Sequence, residues 1–196
     1  HGDLKVIGNS LPRFAYSINL SGDWNNFFIS AFFQGVGKQD WYPSSECIFW
    51  GQYNRPYNNL PTWHVDNYWT EDNQGAYLPR YAGYNTSIRD TKQTRYLQNV
   101  AYIRLKNLQF GYTLPKQWIS KIMLQNARVY ISAENLWCWS PLYKHTRDLD
   151  VTNIYGSDPD LTDADMKSGL NGKRGSGDGN SYPQMRSVSL GVSVTF

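Results

Sequence analysis

The amino-acid sequence predicts an all-β protein whose long antiparallel strands follow one another in an up-and-down order. Three observations lead to this fold class. Apolar and polar residues alternate over stretches of about ten residues, as in strands with one apolar and one polar face. The connections between these stretches are alternately short and long. Mean hydropathy is −0.60 and no apolar run approaches the ~20 residues of a membrane helix, which leaves a soluble β-rich domain or a transmembrane β-barrel.

The first two strands form a predicted hairpin. Arg13 to Gly22 is a strand of membrane-spanning length, with an apolar face formed by Phe14, Tyr16, Ile18 and Leu20. Asp23 to Asn26 supplies turn-forming residues. The return strand follows from Phe27 to Gln34, and its second face is only partly polar.

The third strand is predicted from Ala101 to Leu114. Its apolar positions change phase at Asn107, which indicates a β-bulge at that residue. The segment from Pro115 to Asn126 follows, and it carries apolar residues at helical spacing (Trp118, Ile119 and Ile122). We therefore expect one or two helical turns inside a short connection.

The last two strands are predicted at Arg128 to Leu136 and at the end of the chain. In the final strand the apolar face consists of Val188, Leu190, Val192, Val194 and Phe196. The opposite face carries only small and polar residues. A soluble domain rarely ends inside such a strand, whereas the last strand of a closed barrel leaves no edge and needs no tail. We expect this strand to serve barrel assembly, and to pair with Val129 to Leu136 and with a strand outside this chain.

The connection lengths favour an antiparallel up-and-down transmembrane β-barrel. They are about four, sixty, twelve and forty-five residues, which matches tight periplasmic turns alternating with long extracellular loops. The loops are predicted at about 37–98 and 138–183, without regular structure. Because five strands cannot close a barrel and open edges are not tolerated in lipid, the chain must be part of a larger barrel.

Composition and motifs exclude several other classes of function. The net charge of +3 is small and spread along the chain, so we expect no nucleic-acid partner. Cys47 and Cys138 fall in predicted loops without metal-binding spacing, and the sequence leaves open whether they are paired or free. His1, His64 and His145 are scattered and no catalytic motif occurs, so we predict neither an enzyme nor a cofactor.

Several runs of residues resemble one family of membrane proteins. The run A-Y-I-R-L-K-N-L-Q-F-G-Y-T-L-P from Ala101 to Pro115 carries most of the likeness. Four shorter runs accompany it in the same order: Ile7 to Pro12, Ser30 to Gly37, Arg128 to Leu136 and Tyr182 to Phe196. Together they are similar to the C-terminal barrel segment of the SusC/RagA family, the TonB-linked outer-membrane transporters of the Bacteroidota.

The resemblance implies a fold, a location and partners. Residues 1–196 are then the C-terminal five strands of a barrel of about 22 strands in the outer membrane. A plug and a TonB box lie upstream in the family, and a SusD-like surface lipoprotein caps the extracellular mouth and delivers glycans or peptides for uptake. The loops depart from the family pattern, for instance at L-W-C-W-S-P after Asn135, so the resemblance does not identify the substrate.

Two groups of residues are candidates for contact with a substrate. Aromatic residues of the first loop can stack on sugar rings or contact the lipoprotein lid: Trp41, Trp50, Trp63 and Trp69. Aromatic girdles at the membrane interfaces are the competing interpretation, which we prefer for Trp137 and Trp139. Charged residues on the polar strand faces are predicted to face the barrel lumen: Arg104, Lys106, Arg128 and Glu134.

Three alternative interpretations remain open from the residues alone. The acidic residues Asp158, Asp160, Asp163 and Asp165 are a weak calcium candidate, because they lack the ligand spacing and the glycine of an EF-hand loop. A secreted carbohydrate-binding β-sandwich also fits alternating strands with exposed aromatics. A glycoside hydrolase fragment using Asp148 and Asp150 is the third. Strands near ten residues, rather than five or six, favour the barrel.

Overall fold

The computed structural model describes residues 5–43, 47–53, 57, 59–82, 91–152, 154 and 183–196. These residues contain seven strands: β1 (Arg13–Trp24), β2 (Phe27–Lys38), β3 (Asp40–Trp41), β4 (Gln98–Asn99), β5 (Tyr102–Thr113), β6 (Asn126–Trp139) and β7 (Ser187–Thr195). The one α-helix described is α1 (Lys116–Ile119). The chain divides into two compact units, which we call the strand unit and the loop unit.

The strand unit comprises Arg13–Gly37, Tyr102–Trp139 and Gln184–Phe196. Its strands form one sheet in the order β1-β2-β5-β6-β7, so strands that follow one another in this unit are neighbours in the sheet. The pairs β2–β5, β5–β6 and β6–β7 are antiparallel. The five predicted strands and their up-and-down order are confirmed, as is the pairing of the last strand with β6.

The first hairpin turn is tighter than the sequence predicts. Asp23 and Trp24 belong to β1, and only Asn25 and Asn26 connect the two strands. Both residues have positive φ, 45° and 69°. Two consecutive residues in this region suit the right-handed twist of a hairpin, and asparagine tolerates the conformation better than most residues.

The predicted bulge in the third strand is confirmed, one residue earlier than expected. Phe32 pairs with Asn107 and Phe33 with Leu105, so the register passes over Lys106. The β5–β6 register shifts at the same place. An extra residue reverses the alternation of faces, which explains why the apolar phase of the sequence changes here.

The connection between β5 and β6 contains the predicted helical turns. Helix α1 continues into a 3₁₀ turn at Ser120–Ile122. Ile119 is buried, and Met123 ends the turn in the left-handed conformation with φ of 56°. Strand β6 then runs to Trp139, three residues beyond the predicted end at Leu136. Cys138 therefore lies in a strand, opposite Arg104, and not in a loop as predicted.

The loop unit comprises His1–Pro12, Lys38–Ala101 and Ser140–Pro183. The absence of periodicity predicted two loops without regular structure, but the described residues of this unit contain the β3–β4 pair and several 3₁₀ turns. They also have a core of their own. Its fully buried side chains include Trp41, Phe49, Trp50, Tyr53, Leu78, Leu142, Leu149 and Ile154. Over the residues described, no helix has the length and apolar character needed to cross a membrane.

Candidate functional site

One face of the five-stranded sheet is apolar and exposed. Residues directly opposite each other in neighbouring strands point to the same side of a sheet, so the register assigns them to faces. One such row crosses four strands and consists of Ile29, Phe110, Ile131 and Leu190. Their side chains are 48%, 47%, 49% and 74% exposed. An apolar face of this extent requires an apolar environment.

The residues predicted to serve barrel assembly lie in this face or beside it. Val188, Leu190 and Val192 pair with Ala133, Ile131 and Val129 of β6. Val194 pairs with Ala127, and Phe196 follows the last residue of β7 with 81% of its surface exposed. Trp137 and Trp139 pair with Leu105 and Ile103 and are about half exposed. Both lie near the end of β6, and their place in an aromatic girdle stays a prediction.

The opposite face of the sheet is small and polar. One of its rows consists of Ser30, Gln109, Ser132 and Ser189. The adjacent row alternates Phe28, Gly111, Tyr130 and Gly191. The ring of Tyr130 lies over Gly191, where a Cβ atom would overlap it, and Phe28 lies over Gly111 in the same way. The two glycines thus accommodate the aromatic rings of this face.

Two of the four predicted lumen residues come together on the polar side. Arg104 Nη1 and Lys106 Nζ both donate to Oε1 of Gln184, at 3.0 and 3.1 Å. Arg104 is buried although it carries a charge. Gln184 was not among the predicted site residues, and it lies 80 residues from Arg104 in the chain.

The other two predicted lumen residues lie apart from this pair. Arg128 pairs with Thr113 and Ser193, and its guanidinium is 5.7 Å from the centre of the Phe28 ring. Glu134 pairs with Asn107 and accepts a hydrogen bond from the Ser187 hydroxyl at 3.1 Å. Both therefore occupy the polar face but do not form a common site with Arg104.

Two of the four tryptophans proposed to contact a substrate are buried in the loop unit. Trp41 is 1% exposed and contacts Phe49 edge-on, with ring centres 6.1 Å apart. Trp50 is fully buried and its indole N–H donates to the carbonyl of Pro43 at 3.2 Å. Neither ring presents a face to a ligand, which corrects the predicted role of these two residues. Both side chains contribute to the core of this unit.

His64 occupies the centre of the loop unit as a neutral side chain. Its Nε2–H donates to the carbonyl of Phe49 at 2.9 Å, since a carbonyl can only accept. Its Nδ1 then accepts from the hydroxyl of Tyr81 at 2.6 Å. Burial outweighs the bond to Phe49 and lowers the pKa of His64 to about 4. Nothing in the sequence around His64 indicates this central position.

A second histidine joins three segments of the loop unit. His145 stacks on Tyr77 with ring centres 4.6 Å apart. The ring centre of Trp63, from a third segment, lies 5.6 Å from that of His145. Burial lowers the pKa of His145, and the charge of Lys144 lowers it further. Arg95 holds Tyr77 in place by donating to its carbonyl at 2.9 Å. Trp63 is half-buried in this cluster, and its contact with a substrate stays a prediction.

Trp69 lies at a surface cavity of the loop unit. The cavity has a volume of about 260 Å³ and is lined by Tyr68, Trp69, Thr70, Glu71, Arg80 and Tyr81. Three aromatic side chains, an acid and a base therefore surround one opening. Among the four predicted tryptophans, Trp69 has the surroundings that best fit a ligand contact.

The carboxylates and cysteines have local roles. Asp148 accepts from the Thr146 hydroxyl at 2.8 Å, and Asp150 accepts from the Thr152 hydroxyl at 2.7 Å, so each closes its own turn. Within the described part of the chain, no three His, Cys, Asp or Glu side chains come together to hold a metal ion. The calcium candidates Asp158, Asp160, Asp163 and Asp165 lie outside the described residues. Cys47 and Cys138 form no disulfide with each other.

Comparison with curated proteins identifies relatives of one kind. No family model matches the chain. TonB-dependent receptor P3 of Formosa agariphila is 31% identical over 199 aligned positions, which cover 99% of this chain and 17% of the receptor. TonB-dependent receptor P26 of the same organism is 27% identical over 99% of this chain and 18% of its own length. The chain thus spans under a fifth of the length of these relatives.

Comparison with solved structures identifies the fold. The RagAB peptide importer in its open-open state superposes with a TM-score of 0.62 and 20% identity, over 98% of this chain and 18% of the importer chain. The closed-closed state of the same importer superposes with a TM-score of 0.54 and 22% identity, over 69% of this chain and 14% of the importer chain. The strands therefore form part of a barrel wall, and the β-sandwich alternative is wrong.

Proposed function

We propose that the intact protein is a TonB-dependent outer-membrane receptor of the SusC/RagA family and that it imports oligomeric nutrients across the outer membrane. The five strands are part of the wall of its barrel. We place them in the C-terminal part of that barrel, on the likeness of the run Ala101 to Pro115 to that part of the family.

The observation that carries this proposal is the two-faced sheet. Its apolar face is exposed along the row Ile29, Phe110, Ile131 and Leu190, and its polar face carries serines, glutamine and charged groups. This arrangement suits a wall between lipid and a water-filled lumen. The sheet order also leaves β1 and β7 at its two edges, where strands of the remaining barrel can pair.

The partners of the intact receptor follow from the same proposal. A SusD-like lipoprotein delivers the substrate at the cell surface, and TonB supplies the energy through a region upstream of this chain. The substrate is a glycan or a peptide, and the receptor makes or breaks no bond in it. RagAB, whose fold this chain shares, is a peptide importer. In this chain, the lining of the cavity beside Trp69 is better suited to a sugar than to a peptide.

Uptake by living cells tests the proposal. The natural host, with and without the complete gene, is given fluorescent mixtures of oligosaccharides or peptides, with and without a protonophore. We expect accumulation of one mixture to require both the gene and the proton gradient. If cells with and without the gene accumulate both mixtures equally, import by this receptor is refuted. Purification in mild detergent tests the partner separately, because a lipoprotein of the expected kind should remain bound.

A further inference from the structure

We propose that the cavity beside Trp69 is a binding subsite for a single sugar ring of a glycan substrate. The inference rests on the proposed import function and gives it a substrate class. The cavity volume of about 260 Å³ lies slightly below the roughly 300–1,000 Å³ of typical small-molecule sites. It therefore suits one ring of an oligomer whose other units remain in solvent.

The backbone around the cavity is held by its own hydrogen bonds. The N–H of Trp69 donates to the carbonyl of Leu78 at 3.0 Å. The N–H of Leu78 in turn donates to the carbonyl of Asn67 at 2.8 Å. The N–H of Asn73 donates to the Thr70 hydroxyl at 3.0 Å. These bonds hold both sides of the cavity in place before a ligand arrives, which reduces the entropy cost of binding.

The aromatic wall is also fixed in advance. Tyr68 meets Tyr81 edge-on at 5.1 Å, and Tyr81 stacks on Tyr53 at 4.3 Å. The hydroxyl of Tyr81 donates to His64, and that of Tyr53 donates to the carbonyl of Pro79. The wall therefore has little freedom to collapse into the cavity. Rigid aromatic surfaces of this kind offer apolar contact to the C–H face of a sugar.

Glu71 and Arg80 supply the polar groups that a sugar requires. A carboxylate only accepts hydrogen bonds and a guanidinium only donates them, whereas each sugar hydroxyl does both. Both side chains line the same cavity and are exposed at the surface. Adjacent hydroxyls of one ring can thus bond to Glu71 and Arg80 while the ring lies against the aromatic side chains.

The same geometry does not favour an extended peptide. Peptides that bind in extended form use backbone hydrogen bonds to an open strand edge. At this cavity the backbone N–H groups of Trp69 and Leu78 already have partners within the loop. Recognition is left to side chains, and an aromatic wall with one acceptor and one donor fits a pyranose ring better than a peptide backbone.

Saturation-transfer NMR on the purified full-length receptor tests the inference. The probes are methyl β-D-glucopyranoside, methyl β-D-galactopyranoside and methyl α-D-mannopyranoside, with trialanine as the peptide arm. The detergent is lauryldimethylamine oxide, because sugar-based detergents would compete. We expect at least one glycoside to receive saturation on its ring protons, and trialanine to receive none.

Substitutions locate the binding. Trp69→Ala should weaken glycoside binding about tenfold, and Glu71→Gln should weaken it several-fold. Trp69→Phe should retain most of the affinity, since it keeps a ring. Trp118→Ala is the matched control, because it removes a tryptophan that is 61% exposed in α1 of the strand unit. Glu71 is exposed, so its substitution tests the site without disturbing the loop fold.

Three results would overturn the inference. These are no response from any of the three glycosides, an equal response in wild type and in both Trp69→Ala and Glu71→Gln, and a response from trialanine alone. None of them bears on gene-dependent, energy-dependent uptake, which tests the import function by itself. The subsite can therefore fail while the transporter assignment stands, and the reverse also holds.

Discussion

Placing one charge on each face of β6 distinguishes the two faces of the sheet. Ile131 and Ser132 are neighbours near the middle of this strand but point to opposite sides. Ile131 lies between Phe110 and Leu190 in the apolar row and is 49% exposed. We predict that Ile131→Arg destabilises the folded receptor and that Ser132→Arg has little effect.

The magnitude follows from the environment of each position. An arginine on the lipid face near the middle of the membrane costs about 2–4 kcal/mol, since its charge must leave water. This corresponds to a loss of roughly 30-fold to 1,000-fold in the folding equilibrium. The side chains opposite Ser132 are Gln109 and Ser189, which are polar and leave an arginine in contact with water. We expect a change there of less than about 1 kcal/mol.

The assay is urea-dependent folding of the full-length receptor in phospholipid vesicles, followed by the heat-modifiable shift on gels. The two variants carry the same new side chain in the same strand, so any general effect of arginine on folding cancels. Equal destabilisation by the two substitutions would refute the assignment of faces. A greater loss from Ser132→Arg would show that the lipid face has been assigned to the wrong side.

Two further predictions concern packing and pH. Gly191→Val should destabilise the strand unit by about 1–3 kcal/mol, because the new side chain overlaps Tyr130; adding Tyr130→Ala should restore part of this loss in the same folding assay. His64 has a pKa of about 4 in the folded state against 6.5 in an unfolded chain, so unfolded chains bind more protons between these values. The loop unit should therefore be fully stable above about pH 6.5 and lose up to roughly 3 kcal/mol as the pH falls toward 4. Limited proteolysis of the loops in the intact receptor measures this loss, and a His64→Gln variant that keeps the same pH dependence would contradict the assignment to His64.

The strands were predictable because their pattern is local. Alternation with a period of two depends only on which side chains neighbour each other along the chain, and a membrane barrel wall imposes that alternation on every strand. The phase change near Asn107 revealed a bulge for the same reason. In the structure the bulge lies at Lys106, between the paired residues Leu105 and Asn107 and one residue before the predicted position.

The long connections were less predictable because nothing in them is periodic. Trp41 and Trp50 resemble exposed loop aromatics in the sequence, yet they are buried with Phe49 in a core of irregular segments. Cys138 follows a clear strand pattern only once its pairing with Arg104 is known. Such positions depend on contacts between distant segments, which a local pattern does not encode.

The alternation of polar and apolar residues predicts the number, order and faces of the five long strands. These properties follow from side-chain polarity repeated along the backbone. Contacts between distant segments determine which polar residues meet, such as Arg104 and Lys106 at Gln184, and which aromatic residues are buried or exposed. The tertiary structure alone places Trp69 beside Glu71, Arg80 and Tyr81 in one cavity. The physical reason is that cross-strand register and loop packing join residues far apart in the chain, and their energies depend on burial that no single segment determines.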